Sequence, residues 1–594
     1  MGLSAALWRR RRRRDQRLPR GVEPPAPPED LRELRAEIVR SADVDHVEEL
    51  RSALAECAGE LARRRSPARV RVVQASSERI ELLLSEPVLP APDGWRPEAS
   101  GTAWVRSASS GPPQPAHDNT NPALVSLGRE DTAGQLYLDL ESEGLISITG
   151  DAAAALARSM ALELATSPLA DGLTLQVIGD LHLGENLDHV RQASTWEEVA
   201  DDALSWAHQT RALLAANRWL SPQAARAATD RPDDVAPLVI ITTEHIDDER
   251  FTALCSTIGD ALLPVIVVTV GHELEGALLI ETGGDQLRVP SLGLSCTAQE
   301  VSADAAAAVE RLLASADDAP AQLSLISDES PVNEPEEPPA SCEGPYTDPP
   351  FDVLVKVLGE IEVVGGRQPL SPKQAAVVTF IALHNPTTAE RVEDAVWSAP
   401  TASRRKRLAN TISDARPALG ADHLPAGYDG RYRVGPRVKT DLELFERRLA
   451  YARTQDPESA IETLRGALDL VTGPVFTYRN ADRSSYAWID TENWISTTEL
   501  KVTDTAEDLA ERYLDQGDVD GAIWAARRGL TASPTHTRLT HLLMRSYFAA
   551  GDGKAAERVY ESYVSALEQL QLDEVDPELA EAYEQIRRGS AAAG

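Results

Sequence analysis

ERYLDQGDVDGAIWAARRGLTASPTHTRLTHLLMRSYFAAGDGKAAERVY (511–560) is one structural unit written twice. Tyr513, Gly517-Asp518 and Ala522 return as Tyr547, Gly551-Asp552 and Ala556, each displaced by 34 residues. In a helix-turn-helix unit of that period the aromatic and the alanine pack adjacent helices, and the glycine ends one of them. Pro534 falls between the copies, where a new helix can begin. Helical periodicity extends in both directions and covers 441–590, so this end of the chain is a stack of helices.

Upstream, the helical stretch PESAIETLRGAL (457–468) is separated from the repeats by GPVFTYRNADRSSYAWIDTENW (473–494), too long and too aromatic for a turn. RVYESYVSALEQLQLDEVDPEL (558–579) closes the array. In order and spacing, 441–590 resembles the bacterial transcriptional activator domain (BTAD), a TPR-like helical superhelix. The resemblance implies dimerisation and contact with RNA polymerase or other transcription proteins. Trp488, Trp494 and Trp524 either line the concave face or belong to the core.

The whole chain has 594 residues, with 59 Lys+Arg against 94 Asp+Glu and a formal charge of −35. Such a molecule repels phosphate, so duplex DNA can be held only by a locally basic module. Residues 351–440 are that module, with thirteen basic against nine acidic residues, a net of +4. Strand-like FDVLVKVLGEIEVVGG leads into helical SPKQAAVVTFIALHN, then AERVEDAVW, then basic SRRKRLANTISDARPALG. YDGRYRV closes the segment, and its Asp429-Gly430 between aromatic and β-branched residues predicts a hairpin. Strands, three helices and a hairpin in that order resemble the plan of a winged helix-turn-helix of the OmpR/PhoB type. With LGEIEV, Val396-Trp397 and GRYRV, it resembles the DNA-binding half of SARP-type activators.

Helical spacing divides the third helix into faces. Leu408, Ile412, Ala415 and Leu419 form an apolar stripe, with Ser403, Lys406, Asn410, Ser413, Asp414 and Pro417 opposite. Arg404 and Arg407 flank one side, and Arg405 and Arg416 the other. In such a fold this helix enters the major groove of double-stranded DNA. Asn410 suits an adenine edge and Arg407 a guanine edge. Arg404, Arg405, Lys406 and Arg416 suit phosphates, and Ser413 also lies on the DNA-facing side. Arg431 and Arg433 are placed to reach the minor groove or backbone. Two residues depart from the family pattern SRLRRALG. Asp414 would repel phosphate, and Pro417 is expected to kink or end the helix early.

Residues 123–315 alternate strands (LISITGD, LTLQVIGD, PLVIITTEH, LLPVIVVTVG) with helices, the pattern of an α/β domain with a mostly parallel sheet. Strand, Gly150-Asp151, helix, and later Thr242-Thr243-Glu244 at a strand end resemble the outline of FtsK-type motor domains. The phosphate-binding chemistry is missing, because GxxxxGK[ST] is replaced by Gly150, Asp151 and a run of alanines, leaving a P-loop-like domain without Walker A. An aspartate at the helix start would repel phosphate. Glu244 and Asp247 are therefore read as surface carboxylates. His182, His189, His208, His245 and His272 lack metal-site spacing, and there is no GxSxG elbow. No catalytic residue, metal or cofactor is assigned, and the protein is read as a non-enzyme.

Residues 29–122 are read as a small α+β region: two helices over 29–64, strands VRVVQASS and RIELLLSE, and a Pro/Ser/Gly-rich connector over 88–122. Residues 316–350 hold nine acidic residues, eight prolines and no Lys or Arg, the composition of a disordered tether. Residues 1–28 form a basic arm with six consecutive arginines, Arg9 to Arg14. The residues alone leave several readings open: a solvated arm, the cytoplasmic flank of a transmembrane helix lying further upstream, or an arm on anionic lipid or nucleic acid. The domain order resembles larger LysM/BTAD proteins, which implies a membrane tether. Cys57, Cys255, Cys296 and Cys342 are scattered, which fits a reducing cytoplasm.

Overall fold

The structure is a computed structural model that describes residues 2–18, 22, 24, 28–41, 44–76, 78–107, 120–130, 134–170, 172–184, 187, 190–229, 232–260, 263–317, 346–397, 404–428, 430–479, 482–569 and 575–593. The chain divides into two compact units, Met1–Leu7 with Ala42–Ala314, and Trp8–Ser41 with Ser315–Gly594. The 316–350 tether lies largely outside the described residues.

The first unit is built on one mixed sheet. Its strands are β1 (Val70–Ala75), β2 (Arg79–Leu84), β3 (Arg96–Pro97), β4 (Ala103–Ser107), β5 (Leu124–Glu130), β6 (Gly134–Asp139), β7 (Leu145–Gly150), β8 (Thr174–Ile178), β9 (Val190–Ala193), β10 (Leu238–Thr242), β11 (Val265–Val270), β12 (Leu278–Gly283), β13 (Gln286–Val289) and β14 (Leu294–Ala298). They lie in the order β3-β4-β2-β1-β6-β5-β14-β13-β12-β7-β11-β10-β8-β9. The run from β12 to β9 is parallel. β10 and β11 are buried at every residue, which is why LVIIT and VIVVTV read as unbroken apolar, β-branched runs. The sheet crosses residue 122, because β1 pairs antiparallel with β6. The connector expected over 88–122 contains β3 and β4, whose Trp104 is fully buried and donates Nε1–H to the Val88 carbonyl at 3.1 Å.

A buried polar knot fastens this unit. Asp139 accepts hydrogen bonds from Asn121 Nδ2 and Gln223 Nε2, each at 2.5 Å, and caps the short helix Leu140–Glu143. Beside it Arg226 forms a two-pronged ion pair with Glu141, both side chains 2% exposed, and also donates to the Thr120 and Val235 carbonyls. A pair this deep is tolerated only because its remaining donors are satisfied.

The second unit has a continuous apolar core running from Val353 through Leu543. Strands β15 (Val353–Lys356), β16 (Glu362–Val364) and β19 (Val438–Thr440) form one small sheet, and β17 (Thr387–Thr388) pairs with β18 (Arg431–Tyr432). Helices Pro372–Leu383, Ala389–Val396 and Arg404–Leu419 pack with them. The first of these begins with a capping box made by Ser371 and Gln374, the second with Thr388 accepting from the Arg391 amide. Among the described residues eight further helices run from Asp441 to Ala593.

The 34-residue repeat is exact down to its hydrogen bonds. Gly517 and Gly551 take φ of +76° and +80°. The Asp518 amide bonds to the Tyr513 carbonyl at 2.8 Å, and that of Asp552 to Tyr547 at 2.9 Å. Each aspartate then caps the next helix, accepting from Gly521 and from Ala555. Ala522 and Ala556 are fully buried.

The basic arm is not a solvated coil. Gly2–Arg17 is one helix, and Arg10, Arg11, Arg12 and Arg14 are buried in the second unit, where acidic and hydroxyl side chains receive them.

Candidate nucleic-acid interface

The helix Arg404–Leu419 is oriented by its apolar stripe. Leu408, Ile412, Ala415 and Leu419 are all buried in the core shared with Val377, Phe380 and Val392. That burial turns Arg405, Lys406, Arg407, Asn410, Ser413 and Asp414 outward, and all six are exposed. Arg404 opens the helix; its side chain, like Ser403, lies outside the described residues.

The chain returns to this face at the turn after Tyr428. Tyr428 and Arg431 exchange backbone hydrogen bonds of 3.0 Å across a turn in which Gly430 has φ +71°. Asp429 is outside the described residues. The expected hairpin closes as this single bridge, and β18 takes its strand partner from β17 instead, Thr388 facing Arg431. Arg405 Nη2 stands 3.9 Å from where a Gly430 Cβ would lie, so the helix start and the wing turn adjoin. Arg431 and Arg433 are exposed. Tyr428 at this turn is 87% exposed. Its signal was an aromatic immediately before Asp-Gly.

Arg416 makes contacts within the fold, and Pro417 departs from expectation. Arg416 faces the loop that follows the helix, donating from Nε to the Leu424 carbonyl at 2.9 Å and from Nη2 to Pro425 at 3.4 Å. Its Nε and Nη2 thus brace that loop. Pro417 does not end the helix, which continues to Leu419. The carbonyl that loses its helical donor belongs to Ser413, on the exposed face, where water can satisfy it. The Ala418 carbonyl is taken by the Arg367 amide at 2.7 Å.

Residues 351–440 are joined to the helical region through polar contacts over an aromatic core. Asp441 accepts the Val357 and Leu358 amides at 2.8 and 3.0 Å, and burial pushes its carboxyl up to about 6 against the pull of those donors. The long aromatic stretch after Asp469 is a strap: the Phe476 and Thr477 amides bond to the Val357 and Gly359 carbonyls, and Phe476 is buried. Lys373 Nζ reaches Ser485 Oγ at 2.6 Å and the Val396 carbonyl at 3.0 Å. His384 stacks on Phe380 and meets the edges of Trp488 and Trp494. Trp488 is thus core, and Trp494 is partly buried against it. Trp524 is partly buried and carries Arg465 over its ring at 4.6 Å.

In the first unit, β7 ends at Gly150 with φ +102°, where a Cβ would stand 1.8 Å from the Thr282 carbonyl oxygen. The Ala152 amide donates to Thr282 Oγ1 at 3.2 Å, and the helix starts at Ala153. Close approach of neighbouring β12 therefore explains this glycine. Glu244 and Asp247 are exposed. Among the described residues no group of three or more His, Cys, Asp or Glu is arranged to hold a metal, and no helix is long and apolar enough to cross a membrane. Cys57, Cys255 and Cys296 are buried free thiols; Cys342 lies outside the described residues.

Residues 440–587 match the family of the bacterial transcriptional activator domain. The matched residues begin where the basic segment 351–440 ends. Among solved structures the chain is similar to Mycobacterium tuberculosis EmbR in complex with low affinity phosphopeptide, at 21% identity and a TM-score of 0.30, over 40% of this chain and 65% of that one. No curated protein matches.

Proposed function

We propose that the protein is a DNA-binding transcriptional regulator of the SARP type, in which residues 351–440 read double-stranded DNA and 441–590 mediate dimerisation or contact with RNA polymerase. One observation carries the reading. Arg405, Lys406, Arg407, Asn410 and Ser413 stand exposed over a buried stripe, on the basic segment of an acidic chain, directly ahead of the activator domain. Asn410 and Arg407 read base edges. Arg404, Arg405 and Lys406 neutralise phosphates, and Arg431, Arg433 and Tyr428 engage the backbone or minor groove at the wing. Arg416 is left out of this set because its Nε and Nη2 brace the loop that follows the helix.

The test is a gel shift of the full chain on promoter and random DNA across a salt series. Neutralised phosphates give a linear fall of log affinity with log salt. Absence of any shift at low salt would leave the second reading, an interaction scaffold without DNA binding. That reading draws on exposed Asp414 and on the loss of Arg416 to the fold.

The first unit is proposed as a pseudo-ATPase-like sensor or docking domain with an FtsK-like outline. Titration with ATP and magnesium tests it, and no heat of binding is expected. Residues 316–350 are proposed to compete with DNA for the basic helix, so deleting them should raise affinity at low salt. A LysM-bearing, membrane-tethered form is an open proposal that the genomic sequence upstream of Met1 tests.

A further inference from the structure

The arginine block of the N-terminal helix is received by the helical domain at a built site. Arg11 Nη2 donates to Asn493 Oδ1 and to Ser496 Oγ (3.0 Å), with Asp490 3.9 Å from its other nitrogen. Arg12 is held by three partners, Nη1 by Glu499, Nη2 by Ser533 Oγ at 2.5 Å and Nε by Thr535 Oγ1 at 3.2 Å. Arg10 reaches Asp317 at 2.8 Å, and Arg14 pairs with Asp15 of its own helix. The residues from Arg10 to Arg12 and Arg14 are each at most 8% exposed. The chain that follows is also seated, since Asn493 Nδ2 donates to the Pro24 carbonyl at 3.1 Å, and Arg35 is buried in the helix Arg32–Ser41.

Burying a guanidinium costs several kcal/mol unless its donors are matched. Here the matching acceptors come from two places far apart in sequence, the start of the helix Trp494–Asp515 and the turn at 533–535. Around the planar fork of Arg12 they combine the Glu499 carboxylate with the Ser533 and Thr535 hydroxyls, and around Arg11 the Asn493 amide oxygen with the Ser496 hydroxyl, patterns that an ammonium cannot fill. Residues 441–590 carry sixteen basic against twenty-eight acidic residues, a net of −12, so the field also favours a cationic occupant. The seat is not ideally satisfied. Arg35 Nη2 is buried without a hydrogen-bond partner among the described residues, and burial lowers the pKa of both Arg35 and Arg11.

We propose that the surface formed by Asp490, Asn493, Ser496, Glu499, Ser533 and Thr535 is a binding site for an arginine-rich helix, filled in cis by residues 8–17 as a separable ligand. While the arm is seated, its arginines are withheld from lipid headgroups and nucleic-acid phosphates. This inference is independent of what the winged segment binds.

Two measurements test it. A labelled peptide of residues 1–20 is titrated by fluorescence anisotropy into the chain lacking those residues. Saturable binding is expected, at least tenfold weaker for the peptide with every Arg changed to Lys and for the Glu499→Gln receptor. Equal affinity of the Arg and Lys peptides would reduce the contact to bulk charge and overturn the site. In case the truncated chain fails to fold, the full chain is digested briefly with trypsin and the cuts mapped by mass spectrometry. Cleavage after Arg10 to Arg14 should be slow in the native protein and at least tenfold faster in Arg12→Lys or Glu499→Gln. Rapid cleavage of the block in the unsubstituted chain would equally overturn it.

Discussion

His384 Nε2 lies 2.5 Å from Glu492 Oε2, joining the end of the first winged-segment helix to the helical domain. Burial works to raise the Glu492 carboxyl, but the His384 hydrogen bond and charge, with help from Trp494 and Arg391, outweigh it and hold the group below its ordinary value. A depressed acid stabilises the fold above its unfolded pKa and loses that contribution as pH falls through the folded value. Glu492→Gln should cost about 1–3 kcal/mol at neutral pH and show a shallower loss of stability below about pH 4.5 in urea titrations.

Asp441 has the opposite sign. Its carboxyl is raised to about 6, so its contribution is fully present below the unfolded value near 3.8 and is lost as pH rises through about 6. Asp441→Asn keeps one acceptor but turns an NH₂ toward a backbone donor. The expected outcome is a lower melting temperature with a flatter stability profile between about pH 4 and 6 than the unsubstituted protein shows.

On the exposed helix the substitutions should separate by role. Lys406→Ala is expected to weaken all DNA sequences alike and to reduce the salt slope by about one. Asn410→Ala should cost about 1–3 kcal/mol on the cognate site alone. Arg416→Ala should leave the salt slope unchanged and lower stability, since it opens the 420–425 loop. A loss of slope with Arg416→Ala would return that residue to the interface.

Removing one partner from the buried pair of the first unit leaves a charge without compensation. Arg226→Met should destabilise that unit by about 3–5 kcal/mol, read by calorimetry or hydrogen exchange across β5 and β6.

In the helical array, Gly521 has no room for a side chain, because a Cβ would stand 2.6 Å from Tyr513 Cδ1. Gly521→Ala should cost about 1–3 kcal/mol through displacement of Tyr513, despite the better helix propensity of alanine.

Local periodicity was enough to determine the stacked helices, the 34-residue repeat, the apolar stripe Leu408–Ile412–Ala415–Leu419 and the parallel strands β7, β8, β10 and β11. Each is a pattern of burial within one element, and spacing along the chain records it directly. Contacts between distant segments left no such record. Pro417 reads as a helix breaker, yet the helix runs on to Leu419, and the bonds of Arg416 to the folded-back loop leave no trace in its spacing. The arginine block reads as free charge because its acceptors, Ser496 and Thr535 among them, lie 485 and 523 residues away. Only the tertiary structure brings hydroxyl, amide and carboxylate oxygens from separate helices around one guanidinium, and only that convergence makes its burial affordable.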